Sequence, residues 1–251
     1  MLYCLGEPFG KMVKRITNVK TKYIEIVDDG WHSLNKKRVT KLQEVAKSAD
    51  IQYTVHAPFA DINIASPSKP LLKASLKRLT QSIIYASNLD AKLWVLHPGM
   101  KTGISNFYPD AEWKQNVASI KQLIKTAKNH GVTVAVENLP GKYRFIMTTP
   151  DDFMRFYNET GLETGIVLDV AHAYLEDQVE AFLKKLPKNI THVHVSDNLG
   201  EIDNHFGIGY GKIDYQKFAT TLKQIGYSGT IIIESGDHIE DSIQTLQNLF
   251  A

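Results

Sequence analysis

The chain has 251 residues, 43% hydrophobic and 22% charged, and a net charge of +2 from 29 Lys+Arg against 27 Asp+Glu. That balance is ample for a sizeable core, fits one large α/β domain as well as two small ones, and demands neither nucleic acid nor an anionic membrane as partner. Cys4 is the only cysteine, so no internal disulfide forms, and no run of about 18 apolar residues is present to span a bilayer. A soluble, cytoplasmic protein is the expectation, with Cys4 a buried core thiol.

Short apolar strands alternate with longer helical patterns from one end of the chain to the other. Leu2–Leu5 reads as a strand, followed by a helix over Lys11–Asn18. A second strand, Lys22–Val27, precedes a helix from Asn35 to Lys47, and a third, Gln52–His56, precedes a long helix opened by Pro67 and running to Leu89. Leu93–His97 leads into Ala111–His130, which Gly131 closes as a helix stop. Thr133–Glu137 is the fifth strand, and Thr149-Pro150 nucleates the next helix as cap and first-turn proline. Gly165–Leu168, Ile190–Val195 and Thr230–Glu234 complete the strands, with helices over Gln178–Leu186, Asp214–Ile225 and Ile239–Phe250.

Eight strand–helix units without a linker, repeat or low-complexity tract predict a (β/α)8 barrel over residues 1–251 as a single domain, because parallel strands need crossover helices. The competing fold is an open doubly wound sheet. No glycine-rich phosphate fingerprint follows the first strand, and GIGYG at residues 207–211 comes after a late one.

Active sites of such barrels lie where the strands end. Those ends carry His56, His97, Glu137, Asp169 with His172 three residues on, His194, and Glu234, while the loop after His194 adds Asp203 and His205. Each taken alone is an ordinary hydrogen-bonded rim residue. Together they are imidazole and carboxylate donors without thiolate, the ligand set of a divalent cation. His192 shares the parity of His194 and fits a supporting role one layer lower. His130 suits a helix C-terminus, and His32 and His238 lie in loops.

HAPFADINIA, LHPG, VAVENLPG, LDVAHA, HVHVSDN with DNHFGIGYG, and IIIES occur in this order between His56 and Glu234. The series resembles the xylose isomerase-like TIM barrel superfamily, which includes endonuclease IV (the family 2 apurinic endonucleases) and the sugar-phosphate isomerases and epimerases. The resemblance implies a bound divalent metal, Mn or Zn, at one to three ions per chain. Its sugar branch implies one ion on Glu137, Asp169, His194 and Glu234, a donor set suited to Mn or Mg. Glu137 and Glu234 would there exchange a proton at a carbon next to a metal-held carbonyl. Lys142 and Arg144 would grip the phosphate or hydroxyls of a sugar or sugar phosphate. The endonuclease branch implies a three-zinc cluster that also uses His56, His97, His172, Asp203 and His205, and a nucleic-acid substrate cleaved at abasic sites.

Two features weigh toward the sugar. Arg144 is the only arginine in a predicted rim loop, whereas duplex binding needs cationic loops. The first strand, LYCLGEPFG, also departs from the G-x-H-V-S start of the endonucleases. A metal-dependent sugar isomerase or epimerase is therefore the expectation, with an abasic-site endonuclease as the alternative and a non-enzymatic barrel that binds a metal or sugar third.

Overall fold

The computed structural model describes residues 2–19, 21–162 and 164–251. Seven parallel strands stand side by side in chain order: β1 (Tyr23–Val27), β2 (Gln52–His56), β3 (Leu93–Leu96), β4 (Thr133–Glu137), β5 (Gly165–Asp169), β6 (Ile190–Val195) and β7 (Thr230–Ile233). Nine helices connect and cover them among the described residues: α1 (Phe9–Asn18), α2 (Lys36–Ala49), α3 (Lys69–Asn88), α4 (Ala111–Asn129), α5 (Pro150–Thr160), α6 (Val170–Leu175), α7 (Val179–Lys185), α8 (Tyr215–Gln224) and α9 (Ile239–Phe250). The sheet curls into a nearly closed barrel, with β1 brought back beside β7.

The expected first strand is absent. Leu2–Cys4 winds into a 3-10 turn instead, with Leu5 N donating to Leu2 O at 2.8 Å and Glu7 N to Cys4 O at 2.9 Å. A four-residue apolar run carries no periodicity of its own, and here burial of Cys4 in one turn satisfies it as well as a ladder would. The barrel therefore has seven strands among the described residues, and no ladder joins β1 to β7. A cavity of about 240 Å³ lies along this seam, lined by Tyr23 and Ile24, Ile231 and Ile233, and Ile243 and Leu246 of α9. The other predicted strands hold to within a residue or so, and α6 is a helix the sequence reading did not include.

Local chemistry explains the element ends. Asn35 caps α2 by accepting from Arg38 N at 3.1 Å, and Asp214 caps α8 by accepting from Lys217 N at 2.9 Å. At α5, Asp152 reaches back to accept from Thr149 N at 2.9 Å, with Pro150 in the first turn.

The main core fills the space between strands and helices, with Trp94, Phe153, Phe156 and Phe182 fully buried there. A separate apolar cluster of Val95, Ala135 and Val167 sits two residues below His97, Glu137 and Asp169 on their strands, which places it inside the cylinder beneath the rim. Above it, Asp28 closes the end of β1. It is fully buried, takes a fork from Arg78 of α3 (Nη1 at 3.0 Å, Nη2 at 2.6 Å), and accepts from Leu34 N at 2.6 Å. Removing the arginine strands a buried charge, so Arg78→Ala is expected to lower unfolding stability by about 3 kcal/mol, read from urea denaturation.

Candidate metal centre

The nine candidate ligands converge at the mouth of the barrel. Register brings them together: Val27 pairs with His56, His56 with Val95, and Asp169 with His194. Three groups form, in each of which one donor atom per residue lies within 4.8 Å of the others: His56, His97 and Glu137; Glu137, Asp169, His194 and Glu234; and His172, Asp203 and His205. Glu137 belongs to the first two. His56 Nε2 and His97 Nε2 lie 3.4 and 3.2 Å from its Oε2, while His172 Nδ1 and His194 Nδ1 lie 3.3 and 3.6 Å from its Oε1.

Backing from the main chain aims most of the imidazoles. A carbonyl oxygen only accepts, so the ring nitrogen facing it carries a proton, and the other is the one that can give up its proton to meet a cation. His56 Nδ1 donates to Ala57 O at 2.8 Å, His172 Nδ1 to Asn138 O at 3.0 Å, and His205 Nδ1 to Glu234 O at 2.9 Å. In each case Nε2 turns toward the carboxylates. Asp169 is both strand end and helix cap: its Oδ1 accepts from His172 N at 2.7 Å, which sets His172 in the first turn of α6. Asn138 clamps the neighbouring strand ends, accepting from Asp169 N at 2.8 Å and donating to Asp169 O at 3.0 Å.

The loop carrying Asp203 and His205 is organised by Asp197, which is fully buried. Asp197 exchanges two backbone hydrogen bonds with Phe206, and its carboxylate accepts from Asn198 N, Gly209 N and Ile213 N. This is what GIGYG does. Gly209 takes a φ of +89°, and a Cβ on Gly211 would lie 2.1 Å from Asp197 Oδ1. The fold returns His205 Nε2 to 2.9 Å and His172 Nε2 to 3.1 Å from Asp203 Oδ2.

These donors fit a divalent cation. Both oxygens of Glu137, Asp169 Oδ2 and His194 Nδ1 are buried without a hydrogen bond of good geometry, although imidazole nitrogens flank Glu137 at ion-pair distance. Orphaned buried acceptors carry a large desolvation cost that a cation removes. Three carboxylates packed together also repel one another.

The protonation pattern reflects the same crowding. Burial, with Glu137, Asp203 and Glu234 adding to it against His172, pushes Asp169 up to about 7. Burial opposes a charge on His56 and on His205, but Glu137 and Asp203 respectively outweigh it and raise each to about 9. Burial leaves His97 below its ordinary value. Glu137 and Glu234 are held below the carboxylate range despite burial, Glu137 mainly by His97 and His194, and Glu234 by His194.

Lys142 and Arg144 are exposed and lie apart from the three groups. The Lys142 ammonium sits 5.4 Å from the Tyr143 ring centroid, and Arg144 donates to Thr102 O at 2.9 Å. Phe59 stacks on His97 with centroids 5.4 Å apart, and Phe145 meets the same ring edge-on at 6.2 Å. Cationic side chains in the loops after the strands are limited to Lys101, Lys142, Arg144 and Lys212, against the exposed or half-buried Asp29, Asp61, Asp110, Glu201, Asp214 and Asp237. His32 is buried against Glu7 O at 2.9 Å, and His238 stacks on Tyr210.

Among the buried carboxylates that the sequence did not single out, one touches the candidate ligands. Glu25 of β1 contacts His192 and His194 from below and forms a fourth donor group with them. The available signal was the lone acidic residue inside the apolar strand YIEIV, at a position that alternation points inward.

Residues 14–249 match the family model described as xylose isomerase-like TIM barrel. The uncharacterized protein MJ1614 of Methanocaldococcus jannaschii is 34% identical over 236 residues, covering 93% of this chain and 89% of that one. A solved D-tagatose 3-epimerase-like protein superposes with a TM-score of 0.90 at 29% identity, covering 98% of this chain and 93% of that chain. A probable endonuclease 4 of Thermoplasma acidophilum is 28% identical over 185 residues, covering 68% of this chain and 62% of that protein. No helix among the described residues is long and apolar enough to cross a membrane.

Cation binding must displace protons from Asp169, His56 and His205, so affinity for added Zn²⁺ is expected to rise from pH 6 to pH 9 with measurable proton release. The sign for metal-free stability follows from linkage. Asp169 rises from 3.8 to about 7 on folding, a penalty that builds as pH climbs between those values. His56 and His205 stabilise below 6.5 and lose that contribution by about 9. The Zn²⁺-induced gain in melting temperature is therefore expected to be larger at pH 8 than at pH 6, as scanning calorimetry reads it.

Proposed function

Because the chain belongs to the xylose isomerase-like TIM barrel family, we propose that it is a metal-dependent isomerase or epimerase of a small sugar or sugar phosphate, residues 1–251 acting as one domain. The observation that carries this reading is the four-donor pocket of Glu137, Asp169, His194 and Glu234, with two buried carboxylates approaching it from β4 and from the end of β7. These strands stand across the cylinder from each other. A substrate between them meets one glutamate on each face, the arrangement that inversion at carbon requires.

Glu137, Asp169, His194 and Glu234 would hold the ion, Mn or Zn. Bound there, such an ion would polarise the substrate's carbonyl and hydroxyl oxygens and so acidify the adjacent C–H. The two glutamates do the proton work. One, kept ionised by neighbouring histidines, takes the proton from carbon. The other, first protonated from water, gives that proton to the opposite face, and exchange of both carboxyls with water restores the starting state. Phe59 and Phe145 wall the approach beside His97 and leave an apolar face for a sugar ring. Lys142 and Arg144 would meet the phosphate of a substrate that extends to the rim. With a lone cysteine the protein needs no oxidising compartment, and we assign it to the cytoplasm.

A second reading rests on its own observation: the groups His56/His97/Glu137 and His172/Asp203/His205 are complete donor sets that a one-ion epimerase leaves unused. They would suit a multinuclear zinc site activating water for phosphodiester cleavage at abasic sites. Against it stands the acidic rim, which repels a polyanionic duplex.

The deciding experiment combines metal analysis with two assays. About one exchangeable ion per chain with interconversion of ketoses supports the sugar reading. Three zinc ions with incision of an abasic-site oligonucleotide replaces it by the second. Glu137→Gln and Glu234→Gln are each expected to lower isomerase turnover by at least about 100-fold while some metal stays bound. Turnover retained within tenfold removes them from the proton-transfer roles.

A further inference from the structure

Beneath the mouth, Glu25 and His192, which neither reaction uses, form a donor group with His194, a ligand of the pocket above. The Glu25 carboxylate faces both imidazoles: Oε1 lies at ion-pair distance, 3.0 Å, from His194 Nε2, and Oε2 lies 3.1 Å from His192 Nε2 and accepts from Thr54 Oγ1 at 2.8 Å. All three ionisable side chains are buried. Glu25 and Thr54 face each other in register across β1 and β2, while His192 and His194 come from β6.

We propose that Glu25 is the positioning residue that selects which nitrogen of His194 meets the cation. The negative charge of Glu25 Oε1, 3.0 Å from Nε2, favours the proton on that nitrogen over Nδ1. Nδ1 is then the donor turned to the four-residue pocket, where it lies 3.3 Å from Glu234 Oε2 and 3.6 Å from Glu137 Oε1. His56, His172 and His205 use the opposite arrangement, Nδ1–H on a main-chain carbonyl and Nε2 presented. His194 lies on a strand whose carbonyls are spent in the ladder, so its backing comes from a side chain. An anionic acceptor also makes the imidazole a stronger donor than a neutral carbonyl does. His192 and Thr54 hold Glu25 itself and fix its plane.

The proposal rests on the cation-binding part of the reading above and not on which reaction follows. Metal-free wild type, Glu25→Gln and Glu25→Ala are titrated with Zn²⁺ against a competing chelator, with circular dichroism as the check on folding. Anomalous scattering at the zinc edge then reports which donor group is loaded, and ¹⁵N-histidine NMR of the zinc-loaded protein reports the His194 tautomer. Glu25→Ala is expected to weaken zinc binding at Glu137/Asp169/His194/Glu234 by about 10- to 100-fold and to lose the slowly exchanging His194 Nε2–H, with His56/His97/Glu137 still able to load. Glu25→Gln, whose amide oxygen still accepts from Nε2–H, is expected to keep the tautomer and lose affinity several-fold.

Wild-type affinity in the Gln variant overturns the proposal, and that variant carries the test if the Ala variant does not fold. So does a His194 Nε2–H that persists in Glu25→Ala, or zinc found between Glu25, His192 and His194. A wild type that binds zinc at the four-donor pocket but is inactive on sugars removes the isomerase reading and leaves this result readable.

Discussion

Glu137 is a buried carboxylate with imidazoles on both sides, and the rest of the mouth is arranged around that fact. Its Oε2 faces His56 and His97, and its Oε1 faces His172 and His194. A charge this deep survives only with compensation of opposite sign. The histidines supply it, which is why Glu137, with four imidazoles at ion-pair distance, is held low while Asp169, with His172 alone, is pushed up to about 7. A divalent ion replaces several of those protons at once. The strand ends, the Asn138 clamp and the Asp197-centred loop all serve to keep these groups within a few ångströms of each other.

Much of this was legible in the residues. Alternation in THVHV places His192 and His194 on one face, and Asp169 and His172 stand three apart at a strand end, although the helix that Asp169 caps there was not legible. What the sequence could not carry is anything that depends on closing the cylinder. Glu25 reads as one acidic residue in an exposed-or-buried strand until the barrel brings β6 around to meet it, 167 residues later. Leu2–Leu5 reads as a strand because short apolar runs look alike in isolation, and tertiary packing of Cys4 decided otherwise. Arg144, named for its position after Glu137, is drawn aside by Thr102 of the neighbouring loop.

The same geometry explains why two chemistries share one scaffold. Four donors at the centre are what proton transfer at carbon needs, and the flanking histidine groups are what a second or third ion needs. Charge on the surrounding loops discriminates between them better than the ligands do, since the ligands serve either. The loops here are acidic and short of arginine, and the walls beside His97 are aromatic. Small neutral rings suit such a mouth better than a phosphate backbone.

The unzipped seam between β1 and β7 has a bearing on how the molecule assembles. Every ladder joins segments adjacent in the chain, so the sheet can grow by local steps with modest loop-closure cost. Nothing of that kind fastens its two margins. Among the charged groups that reach across the interior, Glu25 grips His192 and His194 from opposite ends of the polypeptide, acting as a clasp where hydrogen-bonded backbone is missing. Ligand geometry and ring closure are thereby one cooperative event: an intermediate with its margins apart has the right residues in its sequence and no centre in which to use them.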